Sequence, residues 1–312
     1  MRAINLKTNH LTAPIGIDAG PLFLSWQCAD GVRQTAYEIQ LTANGEMLWH
    51  SGKTEGAAMH ADVPAVVGSR VSGCWRVRLW DENDVPGAWS EARFETGLAQ
   101  CDWVGEWVDP ETEPIDIPGD DAINAFARPN WERKQAEKEA AGKGAAESYK
   151  PHRPASYLRK SFTASKSEAR LYITAKGLYV AWLDGKHIGD MVLAPGSFTG
   201  NKHLGAQTYD VTALLHEGSN VLCVELADGW YRGSVGAWGL KNQYGTETKL
   251  LAQLEIKYTD GTAQTVISDG SWRWSSDGAI RFADNKDGER VNANNIPSYK
   301  NHAKETVCKV LP

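Results

Sequence analysis

Hydrophobic and polar residues alternate along most of this chain, with the period of two that is typical of β-strands. In the run 75–80, Trp75, Val77 and Leu79 take one face, while two arginines and Trp80 take the other. This strict alternation indicates a strand with one buried face. Residues 15–98 contain about seven such short strands, separated by turn-forming runs such as 81–87. Strands of this length and spacing predict a β-sandwich.

The closing hairpin of this first module also carries a resemblance. Its sequence, CWRVRLWDENDVPGAWSEARFETGL (residues 74–98), resembles the last strands of a fibronectin type III domain. Residues 1–98 are therefore predicted to form a fibronectin type III-like β-sandwich. The module contains no cluster of His, Cys or carboxylate residues. We assign it no chemistry and expect a spacer or a docking surface.

Residues 99–312 are predicted to form a second module that contains an insertion at about 110–154. The run 101–108 is expected to be its first strand. The insertion differs in composition, and residues 131–141 indicate one short charged helix with mixed signs at i,i+4 spacing. This helix is either a lid or docking element or a solvated insertion on a sandwich loop, and the second interpretation is favoured.

Alternating strands return at Ser156 and continue to about Trp274. The pair Asp184-Gly185 is a strong signal for a tight hairpin turn, and Asp260-Gly261 marks another. About nine strands connected by hairpins and longer crossings predict a jelly-roll sandwich. The predicted fold class is thus all-β, with two consecutive β-sandwiches and one helical insertion.

Composition excludes several classes of function. The net charge is −6, and the Lys and Arg residues form no basic patch, which argues against a nucleic-acid partner. No run of about eighteen apolar residues predicts a membrane span, and the N-terminus lacks the apolar segment of a secretory signal. Thirteen Trp residues favour a β-rich protein with aromatic surfaces.

Reactive and metal-binding side chains show no recognisable motif. The five cysteines include no CxxC pair, and the eight histidines include no HxH or HExxH pair. A nucleophile motif such as GxSxG is also absent from the sequence. We interpret the cysteines as reduced thiols and expect a cytoplasmic protein.

The most informative stretch is residues 222–252, LCVELADGWYRGSVGAWGLKNQYGTETKLLA, in which glycine-rich loops join two strands. Aromatic rings can cover the apolar faces of a sugar, while amide and guanidinium groups bind its hydroxyls. The interpretation that these aromatics are core residues at a strand end stays open and is favoured on spacing alone. With Asn201 from a nearby loop, the predicted carbohydrate-binding residues are Asp228, Trp230, Tyr231, Arg232, Trp238, Asn242, Tyr244 and Asn201.

Several motifs in the same order resemble the N-terminal region of bacterial α-L-rhamnosidases of glycoside hydrolase family 78. They are YLRKSF, RLYITAKGLYVAWLDGKHIGD, MVLAPG, QTYDVTALL, ADGWYRG and LLAQLEIKYTDGT, preceded by GVRQTAYEIQL and the hairpin of the first module. The resemblance covers nearly the whole chain and is weakest in the loop 113–154.

The resemblance implies inverting hydrolysis of terminal α-L-rhamnosyl groups by two carboxylates. In that family these carboxylates lie on an (α/α)6 barrel downstream of the sandwich modules. Nothing in these 312 residues resembles that barrel. We therefore expect a non-catalytic part that binds or positions rhamnosides. Its expected partners are the carbohydrate and the absent catalytic domain, and a homodimer is an alternative.

The second module is also similar to rhamnose-binding modules of carbohydrate-binding family 67, some of which use calcium. Oxygen ligands would come from Asn201, Asp228, Asn242 and the backbone near Gly245. The run 197–202 departs from the family's pattern, which has an aromatic and an acidic residue after Pro-Gly. We therefore predict no required cofactor and no metal site, with calcium as the alternative.

Two other functions stay open. The modules could be purely structural, supporting the catalytic barrel or a dimer. Alternatively, a pair of loop carboxylates, Asp287 with Glu289 or Asp228 with Glu247, could serve an independent glycosidase or lyase. The run 284–289 also suggests a calcium loop, but Lys286 breaks the alternation of oxygen ligands, and an EF-hand is rejected.

Overall fold

The alternating stretches of the sequence form β-strands in the structure. The computed structural model describes residues 1–113, 133, 136–137, 139–142, 153–236, 241–295, 306–307 and 309–311. Contacts divide the chain into two units, Met1–Trp103 and Val104–Pro312. The strands of the first unit are β1 (Arg2–Thr8), β2 (Ile15–Ile17), β3 (Gly20–Ala29), β4 (Ala36–Ala43), β5 (Glu46–His50), β6 (Thr54–Glu55), β7 (His60–Val67), β8 (Ser72–Trp80) and β9 (Ser90–Thr96).

The first unit is a sandwich of two sheets. One sheet has the order β1-β3-β7, and the other has the order β2-β9-β8-β4-β5, with β6 paired to β4. The predicted inner face of β8 is confirmed, because Trp75, Val77 and Leu79 are fully buried in the core. Trp80, on the outer face, is also buried, because Arg78 and Lys53 lie over its ring at 4.9 and 5.3 Å.

The second unit contains the remaining strands, the short helix α1 (Gly229–Arg232) and a 3-10 turn at Ala293–Asn295. Its strands are β10 (Trp107–Asp109), β11 (Ser156–Ala164), β12 (Glu168–Lys176), β13 (Leu178–Leu183), β14 (Lys186–His187), β15 (Gln207–Asp210), β16 (Gly218–Ala227), β17 (Lys249–Lys257), β18 (Ala263–Ile267), β19 (Arg273–Ser275), β20 (Ile280–Asp284), β21 (Gly288–Val291), β22 (Thr306–Val307) and β23 (Lys309–Leu311).

Two six-stranded sheets enclose the core of the second unit. One has the order β15-β12-β17-β10-β23, with β18 paired to β17, and the other has the order β14-β13-β16-β11-β19-β22. Leu158, Leu171, Leu254 and Trp272 are among the residues buried between them. The hairpin β20–β21 forms a separate two-stranded sheet. The prediction of an all-β chain built from sandwiches is therefore confirmed.

The predicted helix at 131–141 lies partly outside the described residues. Of those that are described, 133, 136–137 and 139–140 are helical and 141 lies in a turn, and Arg133 pairs with Glu137 one turn later at 2.5 Å. The rest of the predicted insertion, 114–132 and 143–152, is not described. Among the described residues, no helix is long and apolar enough to span a membrane.

Candidate functional site

The motif Ala-Asp-Gly-Trp-Tyr-Arg-Gly follows β16 and forms the single turn of α1. Gly229 has a φ of +53°, and a Cβ on it would lie 2.4 Å from the Leu178 side chain, so glycine is required here. The turn places Arg232 four residues after Asp228. The Arg232 guanidinium donates hydrogen bonds of 2.8 Å (Nε) and 2.5 Å (Nη2) to Oδ1 of Asp228, and both residues are 4% exposed.

Tyr231 packs tightly between two glycines. An added Cβ on Gly200 would lie 2.7 Å from its ring, and one on Gly245 would lie 2.5 Å from it. The Tyr244 ring lies 6.3 Å from the Tyr231 ring, centroid to centroid. Trp230 joins both tyrosines around a gap of only about 10 Å³. The half-buried rings of these three residues are thus engaged in packing within the loops.

The two asparagines of the predicted set are exposed. Asn242 has a φ of +58°, and its backbone N–H donates to the carbonyl of Arg232 at 2.9 Å. Asn201 lies in the turn next to Gly200. Trp238 lies outside the described residues. The structure therefore brings Trp230, Tyr231 and Tyr244 together, with Asn242 held to Arg232 through the backbone.

The Arg232 guanidinium also lines a polar cavity of about 370 Å³ in the second unit. Of its lining residues, only Arg232 and Glu247 are among the candidates that the sequence suggests. The acidic residues that follow β10, Glu111 and Glu113, belong to no recognisable motif. We call this space the polar cavity. It is lined by Asp109, Glu111, Thr112, Glu113, Arg153, Arg232, Thr246, Glu247 and Lys249.

One sheet contributes Asp109 on β10 and Lys249 on β17 to the lining of this cavity. Lys176 on β12 is directly opposite Lys249 on β17, and Val108 on β10 is opposite Leu250. Asp109 therefore lies beside Lys249, in a row that runs Lys, Lys, Asp across three strands. The Lys176 ammonium lies 4.9 Å from the Trp107 ring centroid and 6.0 Å from that of Tyr231. Burial, and next the charge of Lys249, lower the pKa of Lys176.

Burial also shifts the pKa values of two groups in the cavity. It raises the pKa of Asp109, against the effect of a hydrogen bond of 2.7 Å that the Glu111 N–H donates to this carboxylate. Burial and the neighbouring charge of Arg232 lower the pKa of Arg153. Nη1 of Arg153 donates to the Thr246 carbonyl at 2.6 Å, whereas its buried Nε has no hydrogen-bond partner among the described residues.

The acidic run 284–289 is held by protein donors. The Asp284 carboxylate accepts N–H bonds from Ser234 and Lys286, both at 2.8 Å. The Lys241 ammonium lies 3.3 Å from Asp284 and 2.9 Å from Asp287. The Asp284 carboxylate therefore anchors the hairpin β20–β21 to the loop after α1. In the part of the chain that the structure describes, no group of three or more His, Cys, Asp or Glu residues is arranged to hold a metal.

Two family models match the chain. Residues 3–100 match the Rha78A-like, N-terminal immunoglobulin domain, and residues 164–308 match the alpha-L-rhamnosidase N-terminal domain. The first match describes the front sandwich as immunoglobulin-like and not as fibronectin type III. Sequence relatives agree with both matches. An alpha-L-rhamnosidase of Alteromonas sp. is 34% identical over 89% of this chain, and one of Formosa agariphila is 34% identical over 92%.

Solved structures that match this chain are also alpha-L-rhamnosidases. An alpha-L-rhamnosidase from Dictyoglumus thermophilum matches 95% of this chain with a TM-score of 0.78 and 26% identity, and the match covers 32% of that chain. The Streptomyces avermitilis alpha-L-rhamnosidase, solved with L-rhamnose, matches 95% of this chain with a TM-score of 0.74 and 25% identity, covering 43% of its own.

Fold and matches together define a pair of β-sandwich modules of the kind found in glycoside hydrolases. The chain corresponds to the N-terminal region of the α-L-rhamnosidases of glycoside hydrolase family 78. It spans about 30% of the length of the curated relatives named above.

Proposed function

We propose that this chain is the non-catalytic N-terminal part of an α-L-rhamnosidase-like protein and that it binds or positions rhamnose-containing carbohydrate for hydrolysis by an (α/α)6 domain. The observation that carries the proposal is the match of both sandwiches to the corresponding third of α-L-rhamnosidases. The loops after β16 support it, because they combine half-buried aromatic rings with exposed amides. Such groups are suited to sugar faces and hydroxyls.

A shallow site of this kind is expected to bind weakly. Only a small surface is buried, and the entropy lost on association offsets much of the gain. We therefore expect dissociation constants between millimolar and high micromolar for a simple rhamnoside. The test is a calorimetric titration of the purified chain with methyl α-L-rhamnoside, with and without calcium. Binding in calcium-free buffer supports the proposal, and the absence of binding in both buffers contradicts it.

Independent catalysis is a second candidate, favoured by one observation. The carboxyl of Asp109 is buried in the polar cavity near Glu247, and its raised pKa is a property of general acids. Asp109, however, accepts a local backbone hydrogen bond that fixes it as part of a turn. We expect no release of phenol from an aryl α-L-rhamnoside. Release that disappears in Asp109→Asn would establish catalysis and exclude a purely non-catalytic role.

A purely structural role is the remaining alternative. The modules would then support the catalytic domain or a dimer without touching carbohydrate. A chain that binds no rhamnose-containing sugar but associates with the rest of the enzyme, or with itself, would favour this role. The homodimer stays a prediction.

A further inference from the structure

The polar cavity has the dimensions and chemistry of a small-molecule site. Its volume of about 370 Å³ lies near the lower end of the range for ligand pockets, roughly 300–1,000 Å³. The lining residues that the structure describes are all polar or charged, with no aromatic or aliphatic residue among them. These described residues offer an apolar ligand no matching surface. A compact ligand covered with hydroxyl groups would find donors and acceptors on every side.

The charges on the lining favour a neutral ligand. Three cations face four carboxyls, and one of the cations, Arg232, is already neutralised by Asp228 behind it. The carboxyl of Asp109 is buried and is therefore more readily protonated than an exposed one. An anionic ligand would meet the four carboxyls as well as the three cations of this lining. A neutral polyol can bond to guanidinium and carboxylate groups at once without changing it.

Two features in or beside the cavity are unfavourable for stability alone. Lys176 and Lys249 stand directly opposite each other on neighbouring strands, an arrangement that destabilises a sheet when both are charged. The buried Nε of Arg153 lacks a hydrogen-bond partner among the described residues, which also costs free energy. Local conflicts of this kind are expected where a chain retains groups for binding.

We infer that the polar cavity binds one neutral sugar ring through its hydroxyl groups, with Arg153, Lys249 and Glu247 as contacts and the Asp228–Arg232 pair as a rigid wall. This inference rests on the proposed carbohydrate-binding function and gives it a location and a ligand class. It differs from a stacking site, since Tyr231 and Tyr244 are packed against Gly200 and Gly245 outside the cavity lining.

The test is a titration of the 312-residue chain, followed by calorimetry and by amide chemical shifts. The probes are methyl α-L-rhamnoside, methyl α-D-glucoside and glucuronate. The cavity variants are Lys249→Met and Arg153→Gln. Lys257→Met is the matched control, because Lys257 is exposed at the opposite end of β17. Asn242→Ala alters the exposed loop outside the cavity. Circular dichroism of each variant verifies folding.

We expect methyl α-L-rhamnoside to lose at least about tenfold in affinity in both cavity variants, and to bind Lys257→Met unchanged. The shifts should centre on the backbone of residues 109–112 and 246–249. Binding retained in the cavity variants but lost in Asn242→Ala would overturn this inference and leave the proposed function intact.

The remaining outcomes separate the two claims. Binding of methyl α-D-glucoside in the cavity, without any binding of the rhamnoside, would support the cavity and contradict the rhamnoside function. Preference for glucuronate, with an affinity that falls steeply with salt, would contradict the neutral ligand class. Absence of binding to all three probes would overturn both claims.

Discussion

Arg232 and Asp228 form a buried ion pair within one helical turn, with two guanidinium N–H groups on one carboxylate oxygen at 2.8 and 2.5 Å. Both side chains are at most 5% exposed. The pair explains the Asp-Gly-Trp-Tyr-Arg order, because the turn requires glycine at 229 and the ion pair requires Asp and Arg four residues apart. It holds α1 and forms one wall of the polar cavity.

Removing one member of this pair should be costly. Asp228→Asn leaves a buried guanidinium without its countercharge, and we expect the free energy of unfolding to fall by about 3–5 kcal/mol. Urea denaturation measures the loss. The double variant Asp228→Asn/Arg232→Gln should lose clearly less than the sum of the single variants, because neither charge is then left alone. Additive losses would show that the pair is not coupled.

The stability of the second unit should depend on pH through Glu225. Burial and then the charge of Glu289 raise the pKa of this carboxyl from 4.5 to about 7, while Tyr157 bonds to it; the residue opposite on β13 is Val180, which is uncharged. The folded state thus binds the proton more tightly than the unfolded state. Stability falls as pH rises from about 4.5 to 7, and the penalty is complete above pH 7.

Glu225→Gln should remove this penalty. A shift of this size corresponds to at most about 3 kcal/mol, so the variant should be more stable than the parent by about 2 kcal/mol at pH 8 and equal to it at pH 4.5. Urea denaturation across that range is the measurement. Glu289→Gln, which removes only the neighbouring charge, should move the transition to lower pH. Parallel profiles for parent and Glu225→Gln would refute the assignment.

The pH dependence of stability that comes from Asp284 should have the opposite sign. Burial alone would raise its pKa, but Lys241 and the N–H groups of Lys286, Ser234 and Asp287 lower it overall. Its contribution is therefore present at neutral pH and is lost as the pH falls below the ordinary value of about 3.8. Asp284→Asn should speed amide exchange at Ser234 and Lys286 at pH 7, whereas exchange in the core strand β17 should change less. Unaltered exchange at both amides would contradict the anchoring role.

Gly245 should tolerate no side chain while Tyr231 keeps its position. An added Cβ would lie 2.5 Å from the Tyr231 ring, so Gly245→Ala should destabilise the second unit by about 1–3 kcal/mol. Gly68→Ala is a suitable control, because the nearest atom to a Cβ there is 3.9 Å away in an ordinary contact. Thermal unfolding compares the two. A Gly245→Ala variant as stable as the control would show that Tyr231 moves freely.

The sequence predicts most of the fold because its strands are local patterns. The alternation in β8 identifies its buried face, and Asp184-Gly185 identifies the turn between β13 and β14. The burial of Trp80 could not be read from alternation, since it depends on cations from two other positions along the chain. The family motifs likewise identify the region of the rhamnosidases to which the chain corresponds.

The candidate site was harder to predict. The Gly-rich loops after β16 point to Tyr231 and Arg232, but the role of each depends on contacts with Gly200, Gly245 and Asp228 that only the folded chain shows. The polar cavity joins Asp109, Arg153 and Lys249, which are far apart in sequence. Asp109 and Lys249 meet because β10 and β17 are neighbours in one sheet, whereas Arg153 comes from the segment before β11. No motif marks such a meeting point.

The most direct test follows ¹³C-labelled methyl α-L-rhamnoside by NMR in a solution of the purified 312-residue chain. Binding broadens the sugar signals, and hydrolysis replaces the anomeric signal of the glycoside with those of free rhamnose. The account predicts broadening that unlabelled rhamnoside reverses, together with an anomeric signal that does not decay. Sharp, unaffected signals or steady conversion to free rhamnose would contradict it.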